Sequence, residues 1–321
     1  MSIEKATNVL KNYESFLLIM HENPDGDAIG SSAAMSLGLK SMGKKVRMVC
    51  RDRIPETFLF LPQTAEIKND FIAGDFDVII SLDCGDLKKT GFADRIRDFA
   101  HHRKKLINID HHPKSDLQKL ANFNVVDEGA AATGEIIFPI LDHLKVRINR
   151  DIATCLLTCL YFDTGGFKHS NTTPRVLSQA SLFMKWGARL GEITQNISMN
   201  RSIIALKLWG RTLLRIRFNK NLKVVSSIVT KKDLEEIGAT QSDLAGVVNM
   251  INSIPNTQAA MLFYETEDGQ VRASLRTESD RVDISRLASI FGGGGLKKAS
   301  GFSIKGKLQQ DERGEWQVRM K

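Results

Sequence analysis

The sequence predicts an α/β domain built on a parallel sheet, followed by a smaller α+β domain. Three observations carry this. Through the first half of the chain, short apolar runs of strand length alternate with helix-compatible segments, the pattern of strands joined by helical crossovers. In the last third the order changes to strands, short helices and a hairpin signal. The charge changes at the same place: residues 1–200 hold 25 basic and 24 acidic side chains, whereas residues 201–321 hold 20 and 13. With 321 residues, 42% of them apolar, the chain can bury two cores.

Taken in order, Phe16–Met20 is the first strand, and Ala28–Met42, rich in small and helix-compatible residues, is the helix after it. Val46–Cys50, Phe76–Leu82 and Leu106–Ile109 continue the sheet as apolar runs. Asp151–Tyr161 and Pro174–Trp186 are helical, with Pro174 in the first turn, where its missing N–H costs nothing. Gly191–Leu214 is also helical and lacks the Gly/Ser/Pro composition of a flexible linker, which makes it a stiff connector. Beyond it, Leu222–Val229, Thr257–Glu265, Val271–Arg276 and Ser300–Ile304 read as strands, and Gln241–Ile254 and Asp283–Ile290 as helices. Asp268-Gly269 marks a hairpin and residues 292–295 form a four-glycine loop. The expected domains are therefore 1–190 and 216–321, with 191–215 as connector.

Several classes drop out. No apolar stretch approaches the roughly 18–20 residues of a membrane span. Phe16–Met20 is too short for a signal peptide and runs straight into polar residues. Four cysteines do not make a disulfide scaffold, and Cys155 and Cys159, one helical turn apart in an apolar stretch, read as buried free thiols. The expectation is a cytoplasmic protein with no membrane partner. The formal net charge of +8 lies almost wholly in the last third. It suits a polyanion such as a nucleotide, a nucleic acid or polyphosphate, and equally a solvated surface that keeps the protein soluble.

Chemistry concentrates at the ends of the expected strands. His21-Glu22-Asn23-Pro24-Asp25-Gly26-Asp27-Ala28 follows the first strand and precedes the first helix, where ligands bind in an open parallel sheet. The crowded imidazole and carboxylates call for a cation, but Asp-Gly-Asp is also a good turn and helix cap. The pattern then recurs. Asp83 ends the third strand, Asp110-His111-His112 ends the fourth, and Asp163-Thr164-Gly165-Gly166-Phe167 follows a helix. Carboxylate with imidazole suits Mn²⁺ or a similar divalent ion, whereas thiolates would have pointed to zinc. Two such ions about 3.5–4 Å apart can bridge one water for in-line attack on phosphorus.

This order of motifs, His-x-x-Pro-Asp-x-Asp-Ala-x-Gly-Ser, then Asp83, Asp-His-His and Asp-Thr-Gly-x-Phe, resembles the DHH phosphoesterase superfamily. In the last third, Phe291-Gly292-Gly293-Gly294-Gly295 followed by Lys297, Ala299, Ser300 and Gly301 resembles the DHHA1 domain that accompanies it in the nano-RNase/pAp-phosphatase branch. The resemblance covers nearly the whole chain. It implies a parallel-sheet DHH domain followed by a DHHA1-type domain, and two divalent ions, most readily Mn²⁺. His21 and Asp25 would hold one ion, Asp27, His111 and Asp163 the other, and Asp83 would bridge both. Asp110 would orient His111, and His112 would face the phosphoryl group. Arg276, Gly293, Gly294, Gly295 and Lys297 would grip substrate across an interdomain cleft that closes over it. A metal-bridging hydroxide would then hydrolyse short oligoribonucleotides, linear dinucleotides or 3′-phosphoadenosine 5′-phosphate. A homodimer is compatible with the resemblance. One position departs from the family pattern: Leu296 stands where a His is usual, which is expected to alter selection of the distal phosphate and to act on KM more than on kcat.

Two other readings stay open, an inorganic pyrophosphatase or exopolyphosphatase-like enzyme and a non-catalytic nucleotide-binding protein. The glycine loop argues against the first and the filled metal positions against the second. His101-His102, followed by Arg103-Lys104-Lys105, reads as a solvated basic helix end. His169 reads equally as a cleft or surface-loop residue, Asn171 and Thr172 as positioning that loop by side-chain-to-backbone bonds, Cys84 as a buried neighbour of Asp83, and Trp186 and Trp209 as core or connector residues.

Overall fold

The computed structural model describes residues 3–102, 105–113, 115–199, 201–312 and 314–319. The chain divides into two compact units, Met1–Asn200 and Arg201–Lys321. Arg103 and Lys104 of the basic run after His102 lie outside the described residues.

The first unit runs α1 (Ile3–Asn12), β1 (Ser15–Ile19), α2 (Gly26–Ser41), β2 (Lys45–Val49), β3 (Val78–Leu82), α3 (Ala93–His101), β4 (Lys105–Asp110), α4 (Asp116–Leu120), β5 (Phe123–Val126), α5 (Thr133–His143), α6 (Arg150–Asp163), α7 (Pro174–Lys185) and α8 (Leu190–Thr194). Its five strands are all parallel, in the order β2-β1-β3-β4-β5. Strand alternation sorts the apolar side chains between two cores. Phe16, Leu18, Val78, Ile80, Ile107 and Ile109 face α2, α5 and α6, whereas Leu17, Ile19, Ile79 and Leu106 face α3 and α4. Each such side chain, fully buried, contributes about 1.5–3 kcal/mol, and a one-residue slip would exchange the two sets. The chain reverses its winding between β1 and β3, so the crevice of the sheet opens at their carboxyl ends.

The second unit contains α9 (Ile203–Leu214), β6 (Arg217–Asn219), β7 (Val224–Val229), α10 (Lys231–Ile237), α11 (Val247–Asn252), β8 (Ala259–Glu265), β9 (Gln270–Arg276), α12 (Ile284–Ile290), β10 (Gly294–Leu296), β11 (Ala299–Lys305) and the hairpin β12 (Lys307–Gln310) and β13 (Trp316–Arg319). Its mixed sheet has the order β10-β11-β9-β8-β7-β6. Ala260, Leu262 and Tyr264 pack under α9, α10 and α11, and Ala273, Leu275 and Phe302 pack under α12 on the other face. The helix expected over Gln241–Ile254 is broken into a short 3₁₀ turn at Gln241–Leu244 and α11. Gly246, between them, sits at φ +90°, outside helical backbone. The stiff connector expected from Gly191 to Leu214 is interrupted as well: α8 passes into a π turn at Gln195–Met199 before α9 begins.

A buried ion cluster holds α9 to α10. Asp233, only 3% exposed at its side chain, accepts from Arg215 and Arg211, and from the backbone N and Oγ1 of Thr230 at 2.8 and 2.7 Å. Burial works against its ionisation, but these donors outweigh it and bring its pKa down to about 2. A depressed carboxyl pKa stabilises the fold above the unfolded value and loses that contribution as pH falls through the folded value. Asp233→Asn is therefore expected to cost about 2 kcal/mol at neutral pH. Urea titrations of both proteins should show the gap closing between about pH 4 and pH 2; a gap independent of pH would refute the assignment.

Among the described residues no helix is long and apolar enough to cross a membrane. All four cysteines are buried free thiols.

Candidate metal centre

Eight of the sequence-identified residues gather at the carboxyl ends of β1, β3 and β4. His21, Asp25 and Asp27 follow β1, Asp83 follows β3, Asp110 ends β4 with His111 and His112 behind it, and Asp163 is the last residue of α6. Three candidate ligand groups result: His21 with Asp25 and Asp83, Asp27 with His111 and Asp163, and Asp83 with His111 and His112. Asp83 is common to the first and third, and His111 Nε2, common to the second and third, lies 3.4 Å from Asp83 Oδ1.

Backbone geometry aims these side chains. Asp83 leaves β3 at φ +58°, in the left-handed region, which swings its carboxylate over the sheet edge. Asp25 is at once ligand candidate and helix cap: its Oδ1 accepts the N–H groups of Asp27 and Ala28 at 3.0 and 3.1 Å, and its other oxygen has no partner among the described residues. The helix-cap reading of that turn is what the structure shows, and it leaves the second oxygen available to a cation. His21 donates from Nδ1 to the Glu22 carbonyl at 2.7 Å, and His111 from Nδ1 to the Ala130 carbonyl at 3.3 Å. Each ring is thereby oriented with Nε2 toward the carboxylates, where a bound cation would take the place of the Nε2 proton.

The resemblance assigned Asp110 to His111, and the structure corrects this. Asp110 Oδ1 accepts from Nδ1 of His112 at 2.8 Å and from the His112 backbone N–H at 3.0 Å, and Oδ2 takes the Gly85 N–H at 2.7 Å. A carboxylate at the end of a strand folds back on the residue two positions on, and that residue is His112. Burial opposes ionisation of Asp110, but the His112 bond and charge and the two backbone donors hold its carboxyl below the ordinary range.

The fit to cations can be tested on the ligand atoms. His21 Nε2 stands 3.9 Å from Asp25 Oδ1 and from Asp83 Oδ2, and His111 Nε2 stands 3.5 Å from Asp163 Oδ2 and 3.9 Å from Asp27 Oδ2. Most of these separations are too long for hydrogen bonds. They fall in the span, roughly 3–4 Å, between neighbouring ligands that each lie about 2.1 Å from one ion. The charges agree. Burial and the Asp83 charge push Asp27 up to about 7, and burial with Asp27 and Asp25 drives Asp163 well above the carboxylate range. Burial opposes protonation of His21, yet Asp25 and Asp83 raise it to about 9. These carboxylates repel one another until positive charge is placed among them. The nearby thiols are kept protonated, Cys159 by burial and by Asp27, Cys84 by burial and by Asp110 and Asp83, and Cys50 by burial. The donor set is therefore oxygen and nitrogen, which fits a hard or borderline divalent ion.

Sequence reasoning missed the supports. The amino end of α5 meets the site: Thr133 N and Gly134 N donate to the two oxygens of Asp27 at 2.5 and 3.0 Å, and Thr133 Oγ1 donates to Asp83 Oδ1 at 3.1 Å. Behind it Arg175 bonds Glu135 and lies 3.0 Å from Asp127, while Glu135 takes the Ala131 N–H at 2.7 Å. That network fixes the loop whose Ala130 carbonyl orients His111. The Thr133-Gly134-Glu135 start before an apolar run was the available signal. His169 and Asn171 both hold the Asp163 carbonyl, at 3.3 and 3.2 Å.

In the second unit, Arg276 donates from Nε to Asn249 Oδ1 at 2.9 Å and from Nη1 to the Leu275 carbonyl at 2.8 Å. Lys297 Nζ donates to the Asp280 carbonyl at 2.8 Å. The glycine run differs from the expected open anion-binding loop. The Gly292 and Gly293 N–H groups are spent on the end of α12, at Ser289 and Ala288, and Gly294 and Gly295 lie in β10. A Cβ at Gly293 would stand 2.2 Å from the Gly301 carbonyl, so glycine is needed here for β10 to close on β11. Leu296 is 38% exposed at the end of β10.

The comparisons agree across both units. The DHH family, N-terminal domain, matches residues 15–160, and the DHHA1 domain matches residues 221–313. A bifunctional oligoribonuclease and PAP phosphatase from Thermus thermophilus is 30% identical over 301 residues, 93% of this chain and 87% of the relative. A protein of the same description from Bacillus subtilis is 27% identical, over 91% of this chain and 90% of the relative. A solved exopolyphosphatase-related protein from Bacteroides fragilis superposes with a TM-score of 0.88 at 25% identity, covering 95% of this chain and 91% of that one.

Proposed function

The chain belongs to the DHH family of phosphoesterases, with a DHHA1 domain behind the catalytic one, and from that premise we propose that it hydrolyses short oligoribonucleotides, linear dinucleotides and 3′-phosphoadenosine 5′-phosphate. The observation that carries the reading is the meeting of two ligand groups on Asp83 at the carboxyl edge of the sheet. We assign His21 and Asp25 to one ion, Asp27, His111 and Asp163 to the second, and Asp83 to both. The mixture of carboxylate and imidazole favours Mn²⁺. When bound, the ions supply the Lewis acidity that generates the attacking oxygen and neutralises the phosphate.

The protein's own groups do the rest. Asp110 holds the His112 ring by Nδ1, and in its imidazolium form the ring can also donate from Nε2 to a phosphoryl oxygen or to the departing one. Thr133 and Gly134 keep Asp27 in place, so the ligands need little rearrangement on loading. Arg276, with Nη2 unpartnered among the described residues, offers a charge-assisted bond to a substrate phosphate.

The test is a Mn²⁺-dependent hydrolysis assay with chromatographic resolution of products. A short RNA, a linear dinucleotide, 3′-phosphoadenosine 5′-phosphate, a cyclic dinucleotide and pyrophosphate are offered in parallel. Turnover of the first three but not of pyrophosphate is the expected result. Turnover of pyrophosphate alone would replace this reading with the pyrophosphatase one, and metal binding without any turnover would favour a nucleotide-binding role.

A further inference from the structure

The mixed sheet of the second unit is sealed on one face and open on the other. On the sealed face Ala273, Leu275 and Phe302 pack against α12. On the opposite face α9, α10 and α11 cover β7 and β8, through Val225, Ala260, Leu262 and Tyr264. Over β9, β11 and β10 that face carries Arg272, Ser274, Arg276, Ala299, Gly301 and Leu296. The register pairs Arg276 with Ala299 and Ala299 with Leu296, and Ser274 with Gly301. Cross-strand partners share a face, so Arg272 rises between Tyr264 and Ser303, and the small side chains of Ser274, Gly301 and Ala299 lie between it and Arg276.

Arg272 is exposed, and no ion pair or hydrogen bond engages its guanidinium among the described residues. This sets it apart from Arg211 and Arg215, which are locked on Asp233, and from Lys298, which pairs with Asp280 at 2.7 Å. Arg272 and Arg276 lie on one strand four residues apart, about 13 Å at the usual rise. Arg276 is anchored by Asn249 and cannot swing toward Arg272 without losing that bond. The two cations therefore address different phosphates. A row of spaced cations over a shallow floor, in a unit with 20 basic and 13 acidic residues, complements a single polyanionic strand.

Resting on the oligoribonucleotide reading above, we infer that Arg272 binds a second backbone phosphate, further along the RNA strand than the one Arg276 takes, and so sets a preference for substrates longer than a dinucleotide. A dinucleotide or a nucleotide bisphosphate has no phosphate to place there.

Fluorescence anisotropy with labelled oligoadenylates of two and five nucleotides tests this, because it reads binding whether or not the RNA is cut. Arg272→Ala is expected to lower the pentamer-to-dimer affinity ratio about fivefold. The slope of log K against log salt for the pentamer should fall by about 0.7, and Arg272→Lys should restore most of the slope. An unchanged ratio in Arg272→Ala, equal weakening of both lengths, or a wild-type protein that binds the pentamer no better than the dimer would each overturn the inference. If the wild type binds the pentamer through Arg272 but hydrolyses neither RNA, the inference stands and the catalytic reading falls.

Discussion

Asp83→Asn is expected to lower kcat at least about 10³-fold on every substrate while leaving the fold intact. The side chain has two separable jobs. Its carboxylate is the element common to two of the ligand groups, with Oδ2 toward His21 and Oδ1 toward His111. Its backbone sits at φ +58°, a conformation that Asp and Asn adopt at little cost and Ala does not. The amide keeps the turn and loses the negative charge that the two proposed ions would share. Asp83→Ala loses both, and should be less stable to urea in addition, by about 1 kcal/mol of unfolding free energy. Steady-state kinetics with urea titrations of the two variants separate the effects. An Asn variant within tenfold of wild type would show that Asp83 is not a shared ligand.

Asp110→Asn should lower kcat about 100-fold, the upper end for residues that orient a working histidine. Asp110 accepts three hydrogen bonds: two at Oδ1, from the ring and backbone of His112, and one at Oδ2, from Gly85. An amide replaces one acceptor by a donor. It must then face either the Gly85 N–H or the Nδ1–H of His112 with another N–H, and the imidazole loses its hold in either case. A positioning role predicts that KM stays within about twofold and bound metal is unchanged. A fall in metal content would instead make Asp110 part of the ligand set.

The parallel sheet and its chemistry were legible because they depend on local pattern. A buried strand followed by Asp or His points to chemistry at its carboxyl end, and Asp83 after β3 and the Asp110-His111-His112 run at the end of β4 both lie there. The pairing of Asp110 was less visible, since both histidines adjoin it and only the turn decides which ring folds back. Thr133 and Gly134 hold Asp27 through backbone N–H groups, which every sequence has, so the helix-start pattern could mark where α5 begins but not that it meets the site. The helix they begin carries Pro139 inside it, an ordinary helix breaker. It is accommodated because the Glu135 carbonyl, which a residue at 139 would normally bond, receives Gln179 Nε2 at 3.4 Å. The glycine run misled for the opposite reason: small residues suggest access to a ligand, and here they serve the close approach of two strands.

The order in which the ligands occur along the chain bears on how the protein is born. They run from His21 to Asp163, and Asp83 is useless as a shared ligand until β1, β3 and β4 are in register. Parallel strands pair only after their crossovers have formed. On the ribosome, then, the nascent chain stays without a complete cation site until α6 has emerged. From that point the first unit holds every ligand while the second is still being made. If these residues bind cations as proposed, cation capture can thus precede synthesis of the basic second unit, and a loaded centre would be waiting when that unit folds.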